Sequence, residues 1–145
     1  MGAWGVKGLE SDEGLDALDS LTNLTGDRTE VGSNEFIDHL LAEEYVGEDP
    51  DEDEFFFDTV VLATVDLLRA SIETGTVTEH TAIRLVPEPR AVQALLVRVS
   101  AIQRAAPDRE IKELWLESDS ADEWQSSLDA TATALASFLA DLVIR

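Results

Sequence analysis

Glu10, Asp12 and Asp16 place three carboxylates within seven residues near the start of the chain. Asp12 and Asp16 are four apart, so on a helix they share one face. Such a cluster is able to hold a hard divalent cation, which takes several oxygen ligands. Acids in a first helical turn also answer the positive end of the dipole and its unpaired amides, and this structural role is the expectation. The run Gly47–Glu54 is acidic but lacks the Asp-x-Asp-x-Asp-Gly order of a calcium loop. His39 and His80 are the only imidazoles, too few for a nitrogen-ligated metal site. No serine sits in a Gly-x-Ser-x-Gly elbow, and Gly2, Gly5 and Gly8 do not form a phosphate loop. The chain has no cysteine, which excludes thiol and disulfide chemistry. No catalytic residue and no cofactor are expected, and a non-enzymatic role is favoured.

The charge is more telling. The chain carries 31 acidic and 10 basic residues in 145, a net charge of −21. Only Lys7 and Lys112 are lysines. Residues 43–58 hold nine acids and no base. Between Arg84 and Lys112 the balance reverses, with six bases against three acids. Binding to DNA or RNA is excluded, because repulsion opposes the counterion release that drives it. Anionic membranes are disfavoured for the same reason. A basic protein partner is the macromolecule this charge allows.

Hydrophobic content of 44% is enough for a buried core, and the length fits one domain over 1–145. The N-terminus lacks the apolar stretch of a signal peptide and no run is long enough to span a bilayer, so a cytoplasmic protein is expected.

The elements that must position these residues are helical. Ser11 caps a first helix with Leu15, Leu18 and Leu21 on one stripe. Residues 22–33 read as a loop. Ser33 or Asn34 starts a second helix carrying Phe36, Ile37, Leu40 and Leu41, with Gly47 as its stop. Asp49-Pro50-Asp51-Glu52 reads as the start of a third helix, proline in the first turn. That helix carries Phe57, Val60, Val61, Thr64, Leu68 and Ile72, ends at Gly75, and is expected to be central. Asp66 lies within it among apolar neighbours, one turn before Arg69. Residues 76–87 fit a short strand or a short helix and are taken as a connection. A helix follows Pro89 with Val92, Leu95, Leu96, Val99 and Ile102, and Pro107-Asp108 breaks it. A short helix groups Ile111, Leu114 and Trp115. Ser120 and Glu123 form a capping box for the last helix. The expected fold is all-α, a compact bundle of five or six helices without significant sheet.

Two segments carry a resemblance. One is Gly2-Ala3-Trp4-Gly5 followed by Leu9-Glu10-Ser11-Asp12 and Leu15-Asp16. The other is Glu113-Leu114-Trp115-Leu116-Glu117-Ser118 followed by Glu123-Trp124. Together they resemble a prokaryotic family, domain of unknown function 4259, whose members open with Gly-(Thr/Ala)-Trp-Gly and close with Leu-Trp-Glu-Glu-Ser and a later Trp. Leu9 stands where Phe is usual, Ser11 where Asn is usual, and Leu116 replaces one Glu. The resemblance implies a mostly helical fold. It singles out Trp4, Gly5, Asp12, Asp16, Trp115, Glu117, Ser118 and Trp124 as motif residues, whose expected role is structural. Trp4 is expected to pack the N-terminal arm against the last two helices.

Two functional classes follow. One is an interaction protein, immunity- or antitoxin-like in its sharpest form, that docks a basic partner. The other is a metal-binding or enzymatic domain built on Glu10, Asp12 and Asp16. The acidity itself, with two lysines against eight arginines, fits adaptation to concentrated salt.

Overall fold

A computed structural model describes residues 12–52, 54–78 and 81–144. Among these residues, six helices and two short strands follow in the order α1 (Asp12–Thr25), β1 (Glu30–Gly32), α2 (Ser33–Ala42), α3 (Phe55–Thr74), β2 (Arg84–Val86), α4 (Pro89–Arg104), α5 (Glu110–Leu116) and α6 (Ala121–Ile144). The helical bundle is the expected one. The two strands refine it, since β1 falls in the segment read as a loop and β2 in the segment read as a connection.

α3 is the central helix. Its positions Val60, Val61, Ala63, Thr64, Val65, Leu67, Leu68 and Ser71 are all buried. A helix apolar on most of its circumference must be covered on several sides, and α1, α4, α5 and β2 all pack on it. α6 lies chiefly against α4. Gly75 closes α3 in the left-handed conformation at φ 95°, the stop the sequence announces. Ile72 departs from the expected stripe and is exposed.

β1 and β2 pair in parallel, with Val31 opposite Leu85 and both side chains buried. Parallel strands send their following helices off side by side, and here α2 and α4 cap each other. The Glu88 carboxylate accepts from the Asn34 amide at 3.0 Å, while the Asn34 side-chain oxygen accepts from the Ala91 amide at 2.9 Å. The Glu88 amide donates to the Ser33 hydroxyl at 2.8 Å. Unpaired amides of two helix starts are thereby satisfied by partners about 55 residues away. A Cβ at Gly32 would meet the Glu88 carboxylate and push it from its place at the start of α2.

Three boundaries differ from the sequence reading, the first being that α1 runs on to Thr25 into the segment read as a loop. α2 ends at Ala42, before Gly47. The Tyr45 amide reaches back to the Leu40 carbonyl and the Glu44 amide to that of Leu41. This is the glycine-type helix stop, with Glu44 in the left-handed position at φ 60°. A side chain there costs about 1 kcal/mol relative to glycine. Glu44→Gly is therefore expected to stabilise the fold by up to about 1 kcal/mol, read as a higher urea midpoint. α3 starts at Phe55, five residues after Pro50, for a reason that lies in the site.

Candidate functional site

The acid run between α2 and α3 is a built turn. The Asp49 side chain accepts the Asp51 amide at 2.9 Å, and the Glu52 amide donates to the Asp49 carbonyl. An aspartate that engages its own turn competes with helix formation. Beneath the turn lies Arg109, which is buried. Its guanidinium holds the Asp58 carboxylate with two bonds, at 2.8 and 2.7 Å. The same group donates to the carbonyls of Pro50 and Glu52 at 3.3 and 3.2 Å. Arg98, half-buried on α4, reaches the Glu48 carbonyl at 3.5 Å. Burial pushes the Arg98 pKa down, while Asp49, Asp58 and Glu52 oppose that shift.

The consequence is a turn pinned through its backbone. Its carbonyls face two arginines, and the side chains of Glu48, Asp49, Asp51 and Glu52 are exposed. Sequence reasoning missed this clamp. Asp58 counts in the sequence only as one of the nine acids of 43–58, and Arg109 only as one of the six bases between Arg84 and Lys112. The one available signal was an acid in the first turn of an otherwise apolar helix.

α5 extends the acidic face. Its N-terminal flank is Arg109, and Lys112 is buried on its inner side. The Lys112 ammonium donates to the carbonyls of Gln103 and Ala105, both at 2.8 Å, and so closes the C-terminal end of α4. The bases of this segment are thus spent inward. Glu110, Glu113 and Glu117 follow at spacings of three and four on the outer face, all exposed. The Glu110 carboxylate faces the first amide of α3, on Phe55, at 3.4 Å. Leu114 lies between the glutamates and is exposed, as is Leu116. This corrects the expectation that Leu114 joins Ile111 and Trp115 in the core. A cleft of about 360 Å³ opens here, lined by Phe55, Glu110, Glu113, Leu114 and Glu117.

The motif residues divide clearly. Trp115 and Trp124 are buried and stack almost parallel, 5.8 Å between ring centres and 4° between planes. The Ser118 hydroxyl donates to the Trp115 carbonyl at 2.8 Å and accepts the Ser120 amide at 3.2 Å, shaping the turn into α6. The structure therefore brings Trp115, Ser118 and Trp124 together as a packing unit, with Glu117 on its outer edge. Asp16 is exposed on α1. Trp4, Gly5 and Glu10 lie outside the described residues, as does the Asp12 side chain, and so does the expected packing of Trp4. Among the described residues, no three His, Cys, Asp or Glu side chains are grouped as a metal site. His39 is half-buried on α2, and His80 is outside the described residues. Asp66 and Arg69 are half-buried, and the Arg69 Nε finds no acceptor.

Two further arginines answer named acids. Arg28 grips Glu35 and Arg90 grips Asp38, each through two bonds of 2.9 to 3.0 Å. These hydrogen bonds hold the Glu35 and Asp38 carboxyls below their usual range. Among the described residues, no helix is long and apolar enough to cross a membrane.

A model of the family described as Domain of unknown function (DUF4259) matches residues 2–127. No curated protein and no solved structure matches the chain.

Proposed function

The chain belongs to the DUF4259 family, and within it we propose a non-enzymatic interaction module that docks a basic protein, in the manner of an immunity protein or antitoxin. The observation that carries this reading is the arginine clamp. A solvated acidic loop needs no buried guanidinium, yet Arg109 fixes the backbone of this one while its carboxylates face outward. Rigid, pre-positioned charge lowers the ordering cost of docking a cationic partner at short range.

The bulk of the charge we ascribe to life in concentrated salt. Lys112 is the only lysine among the described residues, and it is buried. The exposed surface therefore carries acids and arginines, and no described lysine. At about 1 M salt the screening length falls to roughly 3 Å, so such a surface costs little. A cytoplasmic location fits both parts of the proposal.

The test is affinity capture from the cells that make the protein, alongside the loop variant Glu48→Gln/Asp49→Asn/Asp51→Asn. Asparagine at position 49 keeps the turn's acceptor. A single basic protein recovered at near 1:1 ratio, and lost with the variant, is the expected result. Capture indifferent to the loop charge, or no stoichiometric partner, would remove the reading.

A further inference from the structure

We propose that the cleft between α5 and the start of α3 is a second contact point for that partner, separate from the pinned turn, and that it takes a lysine or arginine presented beside a large apolar side chain. The inference rests on the docking reading and makes it local.

Chemistry and shape agree on the occupant. The cleft is lined by apolar Phe55 and Leu114 and by Glu110, Glu113 and Glu117, the last two one helical turn apart. Leu114 and Leu116 are 36% and 46% exposed on a helix of only seven residues, beside the buried Trp115. Of the two, Leu114 lines the cleft, an exposed leucine with glutamates at its edge. Lysine and arginine match it, because their aliphatic stems cover apolar surface while their heads stay with carboxylates. No ion pair of Glu113 or Glu117 forms among the described residues, since the nearby bases Arg109 and Lys112 are buried and committed elsewhere. At about 360 Å³ the cleft is near the small end of ligand sites, which suits one or two side chains better than a cofactor. A second copy of the chain is the wrong occupant, because it would bring another −21 charges to an acidic rim. Nucleic acid fails for the same reason.

The test uses the intact chain and two synthetic helical peptides of equal positive charge. One alternates lysine with leucine along a face; the other has serine for leucine. Backbone amide shifts are followed in the lowest KCl at which the chain stays fully helical. The expected result is shifts confined to Phe55 and residues 110–118, with the leucine peptide about tenfold tighter, worth about 1.4 kcal/mol. Glu113→Gln/Glu117→Gln should weaken it by about tenfold, and the loop variant above by no more than about twofold. Both variants change exposed side chains only, so circular dichroism should be unaltered. Shifts scattered over the acidic surface, equal binding of the two peptides, or indifference to Glu113 and Glu117 would overturn the cleft assignment. Loop-dependent capture of a basic protein from cells would still stand in that case, so the two readings fail separately. No binding of either peptide would also overturn the assignment.

Discussion

Arg109→Met is expected to be among the most damaging single substitutions in the chain, at about 3–5 kcal/mol, because it removes the buried guanidinium that holds the Asp58 carboxylate with two bonds. Both side chains are only 6% exposed, so water cannot replace the lost donors. The Asp58 carboxylate would have to take up a proton or drag the first turn of α3 into solvent. For a chain of this length the loss corresponds to a melting temperature lower by about 10 °C or more. Urea unfolding at fixed KCl measures it. The double variant Asp58→Leu/Arg109→Met separates two roles of the guanidinium. A buried pair replaced by apolar groups of similar volume is often neutral, so the double variant should regain most of the stability. It cannot regain the bonds to the Pro50 and Glu52 carbonyls. Amide exchange at residues 48–52 should therefore stay fast in the double variant while the helices recover. A loss below about 1 kcal/mol in the single variant would mean that Arg109 does not clamp the turn. Full protection of the turn in the double variant would mean that the carbonyl bonds are dispensable.

The same residue explains where the sequence could and could not be read. α4 was legible because Pro89 sets its first turn and five apolar positions repeat at helical spacing. α6 was legible from Trp124, Leu128 and Leu135, all buried. These signals are local. The start of α3 was misread because Asp49-Pro50 is a sound local helix signal that loses to a distant one. Arg109 takes the carbonyls of Pro50 and Glu52 from 59 and 57 residues away, and Asp49 turns on itself. β1 was missed and β2 was left open between strand and helix, because three residues are too few for a period of two to show, and their pairing joins Val31 to Leu85 across the whole of α2 and α3. The motif residues were legible as packing: Trp115 and Trp124 meet as a stack. The cleft was not legible, because Leu114 reads like a core residue until α5 is seen to turn Ile111, Lys112 and Trp115 inward instead.

Raising KCl from 0.1 to 3 M is expected to increase the melting temperature by about 10 °C, most of it below 1 M. Two exposed carboxylates about 7 Å apart repel by about 0.6 kcal/mol in water. Screening roughly halves this at 0.1 M and nearly abolishes it at 1 M, where the screening length is about 3 Å. The pinned turn and the outer face of α5 alone expose Glu48, Asp49, Asp51, Glu52, Glu110, Glu113 and Glu117. About ten such neighbouring pairs amount to about 3 kcal/mol, or about 6–12 °C for a chain of this size. The shape of the curve decides the cause. Screening saturates near 1 M, whereas strengthened burial of apolar groups keeps rising with concentration and is reproduced by sucrose. A saturating rise in KCl that sucrose does not copy would show that repulsion is what salt removes, and that the −21 charge belongs with a concentrated medium. A chain equally stable at 0.1 and 3 M would show that the arginine pairs already hold the acidic surface. The ascription to salt would then fall, and the exposed carboxylates of the turn and of α5 would need a partner to account for them.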